Sequence, residues 1–124
     1  MGFKWLLIGT LLGAGSILLG SFGAHLFKSK IQDDYFHYYQ QGVDYLMYYT
    51  VIIILVQFIS NTYDYSSINI AGWLFVYGVI IFSSSLIIIA FTSNKSFGMI
   101  TPIGGTLLTV GWFVLSFTFI RKLL

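Results

Sequence analysis

The stretch "LLGSFGAHLFKSK", Leu18–Lys30, decides how the rest of the chain is read. It closes an apolar run that starts after Lys4, and its small residues suit either a signal-peptidase site or the packing surface of a membrane helix. A cleaved leader would leave three apolar spans, whereas a retained helix is the first wall of a four-helix protein. The run continues past Ser21 and Gly23 through Leu26 and Phe27 before it meets Lys28 and Lys30. Its glycines form a groove that needs a partner helix. The expectation is therefore a retained first helix, not a cleaved signal peptide.

Composition points the same way. The chain has 124 residues, 57% of them hydrophobic, 19% aromatic and 8% charged, with a mean hydropathy of +0.87. Too few polar residues are present to cover a soluble globule. A net charge of +2 gives no basic stripe of the kind that grips nucleic acid. The absence of cysteine removes disulfides, thiolate metal sites and cysteine nucleophiles.

Crossing roughly 30 Å of hydrocarbon takes about 20 apolar residues in a helix. Stretches at about 5–27, 43–60, 70–91 and 102–120 meet that test. The segments between them are short and polar, which forces neighbouring helices to run antiparallel. The expected fold is all-α, an integral membrane, antiparallel bundle of four transmembrane helices forming a single domain over 1–124, in the cell membrane. Thr101 and Pro102 read as the N-cap and first residue of the fourth helix. Asp33 and Asp34 read as the cap of a short interfacial helix carrying Tyr35, Phe36, Tyr38 and Tyr39. Orientation stays open, because Lys4, Arg121 and Lys122 on one face balance Lys28, Lys30 and Lys95 on the other.

Small residues recur where helices would touch. Gly9, Gly13, Ser16, Gly20 and Gly23 line one face of the first helix. Ala71, Gly78, Ser85 and Thr92 recur every seven in the third, as Gly104 and Gly111 do in the fourth. Lipid tails are as apolar as leucine, so membrane helices associate by close packing and a few hydrogen bonds, and small residues permit both.

The segments "GSFGAHLFK", "YQQGVDYLMYY", "AGWLFVYGVIIFSSSL" and "TPIGGTLLTVGW" together resemble the domain-of-unknown-function family 423. Its bacterial members are small multi-pass membrane proteins, and its eukaryotic relatives are named transmembrane protein 256. The most specific parts are Phe22-Gly23-Ala24-His25 and Thr101-Pro102-Ile103-Gly104-Gly105, with Gly111-Trp112 further on. This chain has Tyr49 where the family usually has histidine, and Leu46 where it usually has glutamine. The resemblance implies topology and a membrane location, and brings with it no activity, substrate or cofactor.

Ionisable residues near spans are the default functional candidates. His25 could carry a proton or ligate a metal, yet it shares no ligand spacing with His37 and no acidic cluster completes a set. Asp44 reads as an interfacial residue paired with a lysine, a tyrosine or His25. Ser83, Ser84 and Ser85 have no histidine nearby in sequence, and the glycines of "GTLLGAG" lack a phosphate-loop Lys-Ser/Thr. No catalytic set, metal or cofactor is expected.

The four-span topology places His25, Lys28, Lys30, Asp44, Thr101, Gly104 and Gly105 toward one membrane face, a polar cluster suited to an anionic lipid headgroup. The functional expectation is a non-enzymatic accessory or interaction component. Its partners would be the bilayer, anionic lipid, and another membrane protein or a homo-oligomer. The alternative is an oligomeric small transporter or channel.

Overall fold

Lipid offers the backbone no hydrogen-bond partner, so each apolar stretch must satisfy its own amides, and an uninterrupted helix does this. The computed structural model describes residues 2–124. Four helices are long and apolar enough to cross a membrane. We call them α1 (Lys4–Lys30), α2 (Phe36–Thr62), α3 (Ser66–Thr92) and α4 (Thr101–Leu123). Even α4, at 23 residues, reaches about 35 Å, enough for the hydrocarbon core.

The register is antiparallel throughout and can be read from the glycines. Along α1, Gly9 meets Thr50 and Ile54, Gly20 meets Val43 and Gly23 meets Tyr39. Gly42 of α2 lies against Ser83 and Leu86 of α3, while Tyr49 lies on Phe75. Between α3 and α4, Gly111 meets Phe75, Gly78 meets Leu108 and Gly104 meets Phe82. Helices therefore pack in chain order, α1 on α2, α2 on α3 and α3 on α4. The inner helix α3 is the most buried and α1 the least. Trp5, Ile53, Ile68, Phe75 and Val79 fill the main core, each at most 1% exposed. A second cluster of Ile31, Tyr39, Val43 and Ala90 closes the end that carries the α1–α2 turn.

Three boundaries differ from the sequence expectation. Helix α2 begins at Phe36, not at Val43, because the aromatic segment is continuous with the span. Asp33 and Asp34 open a single 3₁₀ turn, Asp33–Tyr35, that runs straight into α2, so the separate interfacial helix is the first turns of α2 itself. Thr101 does not cap α4. Ile100 holds the N-cap position, Pro102 stands within the first turn, and the Thr101 hydroxyl is turned to Ser85 Oγ at 2.6 Å. A bond across to α3 has taken the side chain that the capping role would use. At the other end of that loop, Ser93 takes the left-handed conformation (φ 53°) that terminates α3.

Buried polar side chains are bonded. Ser85 Oγ also donates to Phe82 O at 2.7 Å, Ser16 Oγ donates to Gly13 O at 2.9 Å, and Thr118 Oγ1 donates to Val114 O at 2.8 Å. Among the described residues the exception is the Ser83 hydroxyl, which is buried without a partner. A lone hydroxyl in an apolar seam costs more than it returns. Ser83→Ala is therefore expected to leave the thermal stability in detergent unchanged or raise it by up to about 1 kcal/mol. A clear loss on that measurement would reveal a bond that the hydroxyl makes.

Candidate functional site

The Leu18–Lys30 stretch contains a break in helix geometry. From Leu18 to Gly23 the chain widens into a π-helical turn before α-helix resumes at Ala24. Widening displaces carbonyls from their usual partners, and such turns concentrate at functional positions. Here the Leu19 carbonyl accepts the Ala24 N–H across the wide turn and also the Tyr39 hydroxyl, at 2.6 Å. Gly23 makes the second bond possible: a Cβ at this position would stand 2.5 Å from Tyr39 Oη. The Tyr39 ring is held edge-on by Phe27 and Phe91 and stacked by Phe36.

Beside this turn runs a shallow groove of about 320 Å³ between α1 and α2, lined by Gly20, Ala24, Tyr39, Gln40, Val43 and Asp44. Asp44 is exposed and shares this lining with Gly20 and Ala24 of α1. Tyr39→Phe should cost about 1 kcal/mol of stability through the lost hydroxyl bond. It should also speed amide hydrogen exchange over residues 19–24, where the π turn loses its outside support. Unchanged exchange there would show that the turn does not depend on Tyr39.

The structure divides the expected polar cluster in two. His25, the residue after groove-lining Ala24, is exposed, and Lys28 and Lys30 are exposed on the 3₁₀ turn that ends α1. Lys95 stands over the Tyr35 ring at 6.0 Å, near the same end of the bundle. Asp44 belongs with this α1–α2 group. Thr101, Gly104 and Gly105 lie instead in the seam between α3 and α4. Gly104 is pressed against Phe82, its N–H directed to Ile100 O at 3.4 Å, and a Cβ added at Gly105 would stand 3.9 Å from the Phe82 ring. Of the small residues, Gly9, Gly13, Gly20 and Gly23 face α2, Gly78 and Ser85 of α3 face α4, and Gly111 of α4 faces α3. Among the described residues, no group of three or more His, Asp or Glu side chains is placed to hold a metal ion.

Two polar contacts were not foreseen from the sequence. At the opposite end, Gln57 of α2, 2% exposed, caps α1 from outside: its Oε1 accepts Trp5 N–H at 3.2 Å and Leu6 N–H at 3.4 Å. Its Nε2 donates to Gly2 O at 3.0 Å and to Asn61 Oδ1 at 3.2 Å. The Trp5 indole N–H then reaches α3, donating to Asn69 Oδ1 at 3.0 Å. The first amides of a helix have no partner of their own, and here another helix supplies one. An amide alone within "VIIILVQFIS" was the signal available. The second contact is Trp112 Nε1 donating to Tyr49 Oη at 3.0 Å, which ties α4 to α2. Tyr49 is the residue that stands in place of the histidine usual in the resembled family.

Comparison with known proteins agrees with this architecture. The family described as "Protein of unknown function (DUF423)" matches residues 19–105. A UPF0382 membrane protein of Staphylococcus haemolyticus is 41% identical over 113 residues, covering 90% of both chains. One from Staphylococcus aureus is 39% identical, again over 90% of each. The UPF0382 membrane protein YwdK of Bacillus subtilis is 33% identical, covering 90% of this chain and 91% of its own. No solved structure matches the chain. With a family match that spans the π turn, both inner helices and the start of α4, this four-helix membrane protein belongs to the DUF423 family, whose relatives carry the name UPF0382 membrane proteins.

Proposed function

We propose that the protein is a non-enzymatic interaction component of the cell membrane, with α1 as the surface offered to a partner in the bilayer. The observation that carries this reading is the position of α1 at the edge of the bundle. It packs along α2, and its outer face presents Leu7, Leu11, Leu18, Phe22 and Leu26, each at least 57% exposed. The interior supports interaction over transport, because Ser67, Ser85, Thr101, Thr118, Tyr49 and Trp112 spend their polar groups on bonds between helices rather than along a path. We also take α1 as retained. Its glycines seat on α2 and its first turn is held by Gln57 and Asn69, contacts that a leader removed after Gly23 would not need.

Lys28, Lys30 and Lys95 gather three cations at the end of the bundle beside the π turn, and anionic lipid headgroups are the natural company for them. The test is purification of the full chain from native membranes in mild detergent, with identification of co-purifying proteins and lipids and the intact mass of the N-terminus. A stoichiometric membrane-protein or homomeric partner is expected, with α1 present. Lys28→Gln with Lys30→Gln should reduce retained anionic lipid several-fold. A monomeric, partnerless, lipid-free chain would sink the proposal, and a chain that begins after Gly23 would remove α1 from it.

A further inference from the structure

Another cavity lies at the opposite end of the bundle, away from His25, Lys28, Lys30 and Asp44. It measures about 570 Å³ and opens between the start of α3 and the end of α4. Arg121 and Lys122 supply its cations, Ser66 and Ser67 its hydroxyls, and Asp64 a carboxylate. Val114 and Phe117 form an apolar wall that continues along α4 into the span, with Phe117 61% exposed.

The cavity walls are fixed. Ser67 Oγ and Thr118 Oγ1 are 2.5 Å apart and clamp α3 to α4 at its base. Lys122 Nζ sits 4.4 Å above the Tyr65 ring, which holds the ammonium at the rim without neutralising it. Two cations and one carboxylate thus share the lining, which leaves the cavity a net positive charge.

We propose that this cavity binds the phosphodiester headgroup of an anionic phospholipid, with Arg121 and Lys122 holding the phosphate and an acyl chain lying along Val114 and Phe117. Arg presents a planar fork of donors suited to phosphate, and Lys adds a mobile point charge. The hydroxyl of exposed Ser66 adds a neutral donor. A free phosphate would use the same polar groups and leave the apolar wall idle, which is why the lipid is the assigned source. Asp64 opposes the bound anion and sets a limit on affinity. The site is independent of the Lys28–Lys30 end and of any protein partner of α1.

The test uses the full chain reconstituted in phosphatidylcholine with a minor fraction of phosphatidylglycerol, and reads the phosphatidylglycerol retained on the detergent-extracted protein by native mass spectrometry. In the Lys28→Gln with Lys30→Gln background, which removes two cations of the opposite end, Arg121→Gln with Lys122→Gln should lower the remaining retention by about twenty- to thirtyfold, at roughly fivefold per cation. Asp64→Asn should raise retention several-fold, a gain that misfolding cannot imitate. Retention unchanged from that background on replacing Arg121 and Lys122 would overturn the proposal, as would the absence of any gain in Asp64→Asn. Complete displacement by millimolar inorganic phosphate would reassign the site to a free anion and overturn the lipid assignment.

Discussion

Gly104→Ala is expected to destabilise the bundle by about 3 kcal/mol, the upper part of the range for overpacking a tight interface. A Cβ at this position would fall 2.5 Å from Phe82 N, 2.7 Å from Gly78 O and 2.8 Å from Phe82 Cα. All three are backbone atoms, so no rotamer change relieves the clash. The two helices must separate, and with them the Ser85–Thr101 hydrogen bond one turn away. Thermal unfolding in detergent would read the loss. Gly15→Ala is the matched control: nothing lies within 4 Å of its added Cβ, and helix propensity alone should make the change neutral or favourable by up to about 1 kcal/mol. Equal melting of the two variants would mean that α3 and α4 are not in this close register.

Gln57→Leu should cost about 2 kcal/mol, because it removes one side chain that satisfies a buried amide and three part-buried groups and replaces it with an apolar one of similar size. The Trp5 and Leu6 amides, the Gly2 carbonyl and the Asn61 amide all lose a partner together. The signature is local as well as global. Amide exchange should rise first at Trp5 and Leu6, and the Trp5 indole, 1% exposed in the native bundle, should become accessible to aqueous quenchers. Unaltered exchange at those two amides would show that Gln57 does not hold the first turn of α1.

These two variants also mark what the sequence could and could not disclose. Four spans were legible because hydropathy over about 20 residues is a sum, insensitive to any single position. The start of α2 was not, since Tyr and His weaken the apolar signal over 36–42 while still favouring the interface. Glycine spacing pointed to contact faces on α1, α3 and α4, and those residues do meet neighbouring helices. It could not say that Thr101 and Gly104 belong to a seam while Asp44 belongs to a groove, because that depends on which helices become neighbours. Gln57 and Asn69 were invisible for the same reason: their partner Trp5 lies 52 and 64 residues away in the chain. The π turn left only a trace, a glycine at Gly23 whose need appears once Tyr39 is seen beneath it.

The external cap on α1 has a consequence for synthesis. The first helix leaves the ribosome before its cap exists, and Gln57 follows 52 residues after Trp5, Asn69 64 residues after it. At about 5–20 residues per second, α1 waits roughly 3–13 seconds before both partners have even been made. During that interval its first amides must be served by water and headgroups at the bilayer surface. The nascent helix is thus confined near the interface at its N-terminal end until the second and third helices arrive, and its docking is a late event in assembly although it is made before them.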